Sequence, residues 1–136
     1  MYDNRVHLMG FLGKDAALRQ TTTGREFVVL SLATTASWRD ERGEYTDKTR
    51  RTDWHRCIAW SNLSKRAGSL KKGTHVEIEG QLRYRKVTDR EQKDVTYTLA
   101  EIHLSKLRTV DPAPKDDAES VPPQPGNSSE DEAFVS

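Results

Sequence analysis

Along the first 110 residues, apolar side chains recur at every second position in most windows, the period of a strand with one face toward a core and one toward water. Five stretches carry this period. In "RVHLMGFLG", Val6 and Leu8 alternate with His7 and Met9, and in "FVVLSLATT", from Phe27 to Thr35, Val28, Leu30 and Leu32 fall on one face. "DWHRCIAW" is the third. "HVEIEGQLRYRK" sets Val76, Ile78 and Leu82 against Glu77, Glu79, Gln81 and Arg83. The fifth, "VTYTLAEIHLSKL", changes phase from Val95, Tyr97 and Leu99 to Ile102 and Leu104, which predicts a bulge near Ala100.

One stretch breaks the alternation. "SNLSKRAGSLKKG", between the third and fourth strands, offers Ser61 or Asn62 as a helix cap and Gly68 or Gly73 as its stop. Gly10 and Gly80 fall inside strand patterns, where a missing side chain marks a sharp bend or bulge of the kind long strands need to coil around a small barrel. Five strands, one short helix between strands 3 and 4, and bends within strands describe an all-β, five-stranded OB-fold barrel.

The pattern stops at Asp111. From there "DPAPKDDAESVPPQPGNSSEDEAFVS" holds all five prolines and almost no large apolar residue before Phe134. Such a segment cannot bury enough surface to offset its ordering entropy, so it is expected to be disordered. The predicted organisation is a barrel domain over 1–110 and an acidic, Pro-containing tail over 111–136. Charge divides at the same point. Residues 1–110 carry 21 of the 22 Lys and Arg against 14 acids, a net of +7, while 111–136 set Lys115 against seven acids, a net of −6. The formal +1 of the whole chain conceals a basic body, which points to a polyanionic partner.

Cys57 is the single cysteine, which excludes a disulfide framework and a thiol-based zinc site and suits an intracellular protein. No run reaches the roughly 18 apolar residues of a spanning helix, and "MYDNRVHLMG" lacks the layout of a signal peptide. The expectation is a soluble, cytoplasmic chain with no membrane partner. The four histidines fall on separate strands, and neither a glycine-rich phosphate loop, nor a nucleophile elbow, nor a paired metal-binding carboxylate set is present. No catalytic residues, metal ligands or cofactors are predicted.

The candidate chemistry concerns flat ligands and phosphates. In a strand, Trp54, Arg56, Ile58 and Trp60 share a face. Were that face core, Arg56 would be carried inside with no obvious carboxylate beside it, at high cost. His55, Cys57 and Ala59, on the other face, better fit a barrel interior or a subunit contact. Trp38 stands in "SWRDERGEYTDKTRRTD", a polar loop of some 17 residues with Arg39, Arg42, Lys48, Arg50 and Arg51, too long for a plain hairpin turn. A second basic cluster, "RYRKVTDREQK", puts Arg83 and Arg85 on one face and Tyr84 and Lys86 on the other, with Lys71 and Lys72 just before that strand. Basic loops beside tryptophans supply an electrostatic track and stacking surfaces, the two ingredients of a single-strand groove.

These residues lie in text that resembles bacterial single-stranded DNA-binding proteins over about residues 4–110: "VHLMGFLGKD", "FVVLSLATTASWRD", "TDWHRCIAW" and "KKGTHVEIEGQLRYRK" come in that family's order and spacing. The resemblance implies sequence-independent binding of single-stranded DNA in replication, recombination and repair, by a homotetramer at the nucleoid. It implies stacking by Trp38, Trp54 and Trp60, and phosphate contacts by Arg56, Lys71, Lys72, Arg83, Arg85 and Lys86. Val87 stands where well-known members carry another tryptophan. Family tails end in acids and a terminal phenylalanine gripped by genome-maintenance proteins; here Glu130, Asp131, Glu132 and Phe134 are followed by Val135 and Ser136, so weaker or altered recruitment is expected. Two other readings fit less well. A primosome-type accessory or protein-interaction OB module would have few groove aromatics, and an OB-fold nuclease would need more carboxylates than the pair Glu77 and Glu79.

Overall fold

The structure, a computed structural model, describes residues 1–110. The expected tail disorder and the tail residues Glu130, Asp131, Glu132 and Phe134 lie outside the described residues. In chain order the elements are β1 (Val6–Leu12), β2 (Ala17–Gln20), β3 (Glu26–Ser37), a 3-10 turn (Asp47–Thr49), β4 (Arg50–Trp60), α1 (Asn62–Ala67), β5 (His75–Thr88) and β6 (Thr96–Thr109). Hydrogen-bonded neighbours run β1-β5-β6-β4-β3-β2, and a further β1–β3 pairing joins Phe11 to Ala33 and Leu12 to Leu32. That pairing closes β1, β5, β6, β4 and β3 into a five-stranded barrel. The predicted all-β OB barrel with its helix between the third and fourth barrel strands is therefore the observed fold.

The interior follows the alternation. Val28, Leu30 and Leu32 of β3, Cys57 and Ala59 of β4, Val76 and Ile78 of β5, and Ile102 and Leu104 of β6 fill one cluster with Leu12. Val6 and Leu8 pack against it while His7 and Met9 of β1 are exposed, as their period requires. Burial pushes the Cys57 thiol up to about 12, so it behaves as a small apolar filler. Gly10 and Gly80 mark close backbone approaches. A Cβ at Gly10 would strike the Ala33 carbonyl where β1 crosses to β3, and one at Gly80 would strike that of His103.

Four features depart from expectation. The bulge lies at Ser105, not near Ala100: Glu79 pairs with Lys106 and Gly80 with Leu104, whereas Tyr84–Ala100 sits in unbroken register. The phase change at 100–102 arises because both faces of β6 are buried there, Glu101 outward and Ile102 inward. The loop after Trp38 is shorter than the polar text suggested, because β3 and β4 stay paired out to Ser37–Arg50 and leave residues 38–49 as the connection. β2, four residues on the sheet edge, went unpredicted because so short a run carries too few alternations to register. The helix is also shorter than its parent stretch: it starts after Ser61, whose side chain makes no cap bond, and ends at Gly68, whose N–H donates to the Ser64 carbonyl at 2.9 Å.

Candidate nucleic-acid interface

β4 carries the strongest sequence candidates, and its pairing with β3 fixes where they point. Phe27 is opposite Trp60, Val29 opposite Ile58, Ser31 opposite Arg56 and Ala33 opposite Trp54. All of these lie on the outer face, because the alternate residues Val28, Leu30, Cys57 and Ala59 line the interior. The face is not uniformly open. Phe27, Val29 and Ile58 form a small buried cluster of their own, with Ala17 and Trp60 packed against it. Trp54 and Trp60 are half-buried, each seated by a different device.

Trp54 rests on a glycine. A Cβ at Gly13 would collide with its ring, and the Gly13 N–H is tied to the Ser31 carbonyl at 2.9 Å, so the backbone cannot retreat. Two residues on, Asp15 accepts from the Lys72 backbone N–H at 2.9 Å and lies 4.0 Å from the Lys71 ammonium. These contacts hold the exposed pair Lys71 and Lys72 beside the turn on which Trp54 sits.

Trp60 is held by hydrogen bonding and packing. Its Nε1 donates to His103 Nδ1 at 3.2 Å, and its ring lies 4.9 Å from that of Phe27 at 42°. Since Nδ1 accepts, the neutral imidazole carries its proton on Nε2, which faces Glu101 Oε1 at 3.3 Å. Over the indole, the Arg25 guanidinium lies 4.3 Å from the ring centroid. Around Trp60 opens a cleft of about 580 Å³ lined by Thr21, Thr23, Arg25, Arg83, Tyr84, Arg85, Glu101 and His103.

Arg56 overturns the argument by which it was singled out. A carboxylate does share its face: Glu101 Oε2, from β6, lies 3.3 Å from Arg56 Nε and 3.2 Å from an Arg85 guanidinium nitrogen. The Glu101 side chain is 1% exposed and that of Arg56 10%, so the expected outward display of Arg56 gives way to a buried brace. Burial pushes the Glu101 carboxyl up, but hydrogen bonds from His103 and Arg85 and the charges of Arg85 and Arg56 outweigh it and hold the group below its ordinary value.

The remaining candidates are spread over β4, β5 and the end of β3. Arg83 lies exposed on the cleft side of β5, opposite Glu101, while exposed Lys86 belongs to the alternate face with Tyr84. Val87 is 5% exposed, so that position offers no open platform. Trp38, 47% exposed, stands one residue past β3, where its N–H donates to the Thr49 carbonyl at 3.0 Å; of the three tryptophans, Trp60 lines the cleft and Trp38 and Trp54 do not. His55 is half-buried on the inward-facing side and exchanges a 2.8 Å hydrogen bond with the Thr34 hydroxyl; burial lowers its pKa against the opposing pull of Asp53. Glu77, held low by hydrogen bonds from Arg108 and His7, and Glu79, 3.7 Å from Lys106, are occupied by ion pairs on β5's outer side. Among the described residues, no group of three or more His, Cys, Asp or Glu could hold a metal ion. Nor is any described helix long and apolar enough to cross a membrane.

Sequence reasoning missed Arg25, Glu101 and His103. A signal existed for Glu101, the one charged residue within "VTYTLAEIHL": a lone carboxylate in an apolar strand needs a buried cation. Arg25, in a short turn before β3, offered none.

Comparison with known proteins places this geometry. The model of the Single-strand binding protein family matches residues 3–110. The chain belongs to that family. The family is one of binding proteins and not of enzymes. Among curated relatives, Single-stranded DNA-binding protein 1 of Chlorobaculum tepidum is 39% identical over 95 residues, which are 69% of this chain and 57% of that protein. The chain thus spans little more than half the length of that relative. Among solved structures, a Plasmodium falciparum SSB in complex with ssDNA aligns with a TM-score of 0.68 at 28% identity, over 82% of this chain and 97% of that one. The single-stranded DNA binding protein of Thermus aquaticus, as a deletion mutant, gives 0.65 at 24% identity over 79% and 50% of the two chains, a likeness of fold.

Proposed function

We propose that this family member binds single-stranded DNA without regard to sequence, bases stacking on tryptophan while Lys and Arg neutralise phosphates. The observation that carries this reading is the outer face of β4. Trp54 beside Lys71 and Lys72 at one end, and Trp60 beside Arg25, Arg83 and Arg85 at the other, place a ring and a cationic flank at each of two points along one strand. A ring works on any base because every base has a π-face, and phosphate charge is the same at every step. Arg56 contributes by keeping Arg85 and Glu101 in register, and Lys86 on β5 and Trp38 just past β3 extend the track. The domain proposed for this work is 1–110.

Titrating the protein with oligo(dT) while following tryptophan emission tests the reading. Quenching is expected at low salt, with log affinity falling against log salt by about 0.7 per neutralised phosphate. Emission that stays constant at low salt overturns it.

The family resemblance further supports action in replication, recombination and repair as a homotetramer, with 111–136 carrying contacts to genome-maintenance proteins. The half-buried His55 is the proposed subunit contact. His55→Lys should lower the mass seen by light scattering; full native mass would remove His55 from any interface.

A further inference from the structure

Trp60 has one ring face turned to the body of the protein, and the other does not stand bare. Arg25 occupies it. The turn that delivers this arginine is tightly tied: the Thr21 N–H donates to the Arg25 carbonyl at 2.8 Å, the Arg25 N–H to the Thr21 hydroxyl at 3.0 Å, and the Gly24 N–H to the Thr21 carbonyl at 2.9 Å. Thr21 itself is buried and its hydroxyl also meets that of Thr23 at 3.0 Å. So many bonds within five residues keep the Arg25 Cα in place above β4. Beneath it, the indole is locked by Nε1 to His103 and by contact with Phe27. Both layers of the pair are therefore held before any ligand arrives.

We infer that Arg25 is a nucleotide-contacting residue, and that at this end of the groove the base stacks on the Arg25 guanidinium, which in turn rests on Trp60. This rests on the single-strand reading above and refines it. A guanidinium is planar, stacks on aromatic faces, and is itself a surface on which unpaired bases stack. Arg25 is exposed and lines the cleft together with Arg83 and Arg85. About 580 Å³ lies within the roughly 300–1,000 Å³ of ligand-sized sites and accepts one nucleotide unit. The same positive charge that holds Arg25 on the indole then lies beside the nucleotide's phosphate, so a single residue serves as stacking layer and counter-charge.

Wild type, Arg25→Ala and Arg25→Lys, each first shown to melt like wild type, are titrated with oligo(dT) across a range of salt. Arg25→Ala should bind about tenfold more weakly at low salt, with a log-log slope shallower by about 0.7, the loss of one neutralised phosphate. Arg25→Lys should restore the slope but only part of the affinity, since an ammonium has no planar face. Tighter binding by Arg25→Ala would overturn the inference and make Arg25 an occupant that bases must displace. Affinity and slope equal to wild type in Arg25→Ala, or full recovery by lysine, would also overturn it. Failure of the wild type itself to bind would instead defeat the single-strand reading, a distinct result.

Discussion

The two faces of β4 are made from the same stretch of chain and held by opposite means. Inward, Cys57 and Ala59 are small, wholly buried and part of one apolar cluster with neighbours from β1, β3, α1, β5 and β6. Outward, Trp54, Arg56, Ile58 and Trp60 are large or charged, and each has its own support: Gly13 under Trp54, Glu101 against Arg56, Phe27 and Val29 around Ile58, His103 and Arg25 about Trp60. The inner face asks only for apolar side chains of the right volume. The outer face depends on particular partners, which hold Trp54 and Trp60 at fixed positions while leaving both rings half-exposed.

That contrast can be broken most severely at the two rings. Trp54→Ala combined with Trp60→Ala should weaken oligo(dT) binding by about 1–3 kcal/mol for each base that loses its platform and abolish most emission quenching. Trp60→Phe keeps a ring on Phe27 but loses the bond to His103, so it should retain most of the affinity that alanine forfeits. Binding unchanged in the double variant would mean that the outer face is not the stacking surface.

Next in size is the brace. Glu101→Gln leaves Arg56 and Arg85 facing a neutral group in a largely buried setting, and should cost about 3 kcal/mol in a denaturant melt. It should also change the acid side of the stability profile. The folded protein holds the Glu101 carboxyl below its ordinary value, so its contribution is complete above the unfolded value of about 4.3 and is lost as pH falls through the lower folded value. The variant should lack that portion of acid destabilisation. Equal stability and an unchanged acid limb would show that the brace carries no net energy.

A smaller effect is expected at Gly13→Ala. The added methyl must push the Trp54 ring aside, because the local backbone is tied to Ser31. Affinity for oligo(dT) should fall by about 1 kcal/mol, within the range for one imperfectly stacked base, with little change in melting temperature. A large loss of stability with intact binding would assign the glycine to folding and not to the site. The smallest effect belongs to the inner face: Cys57, its thiol pushed up to about 12 by burial, should resist alkylation in the native protein at pH 8 and react once unfolded. Rapid native labelling would contradict its place in the interior.

Much of this was legible in the chain. Alternation located the five barrel strands, the break in period located α1, and Gly10 and Gly80 marked where backbones approach too closely for a Cβ. The groove candidates Trp54, Trp60, Arg83 and Arg85 came from the same alternation joined to charge. Arg56 was misjudged because its partner comes from a strand whose place in the sheet no local pattern reveals: Glu101 is 45 residues away and reaches it through the β4–β6 pairing, the parallel contact of the barrel. The bulge was displaced for a related reason, since the shift in apolar phase reflected that buried carboxylate and not an extra residue.

By itself, then, the sequence determined which segments are strands and which of their faces is apolar, because a period of two is imposed by local backbone geometry and survives without knowing any neighbour. Only the tertiary structure decided which outward side chains are free to meet a ligand and which are spent on one another. Arg25 over Trp60, Glu101 between Arg56 and Arg85, and His103 at the edge of the indole are meetings of residues far apart in the chain, and burial, charge pairing and ring contact exist only once the strands have closed.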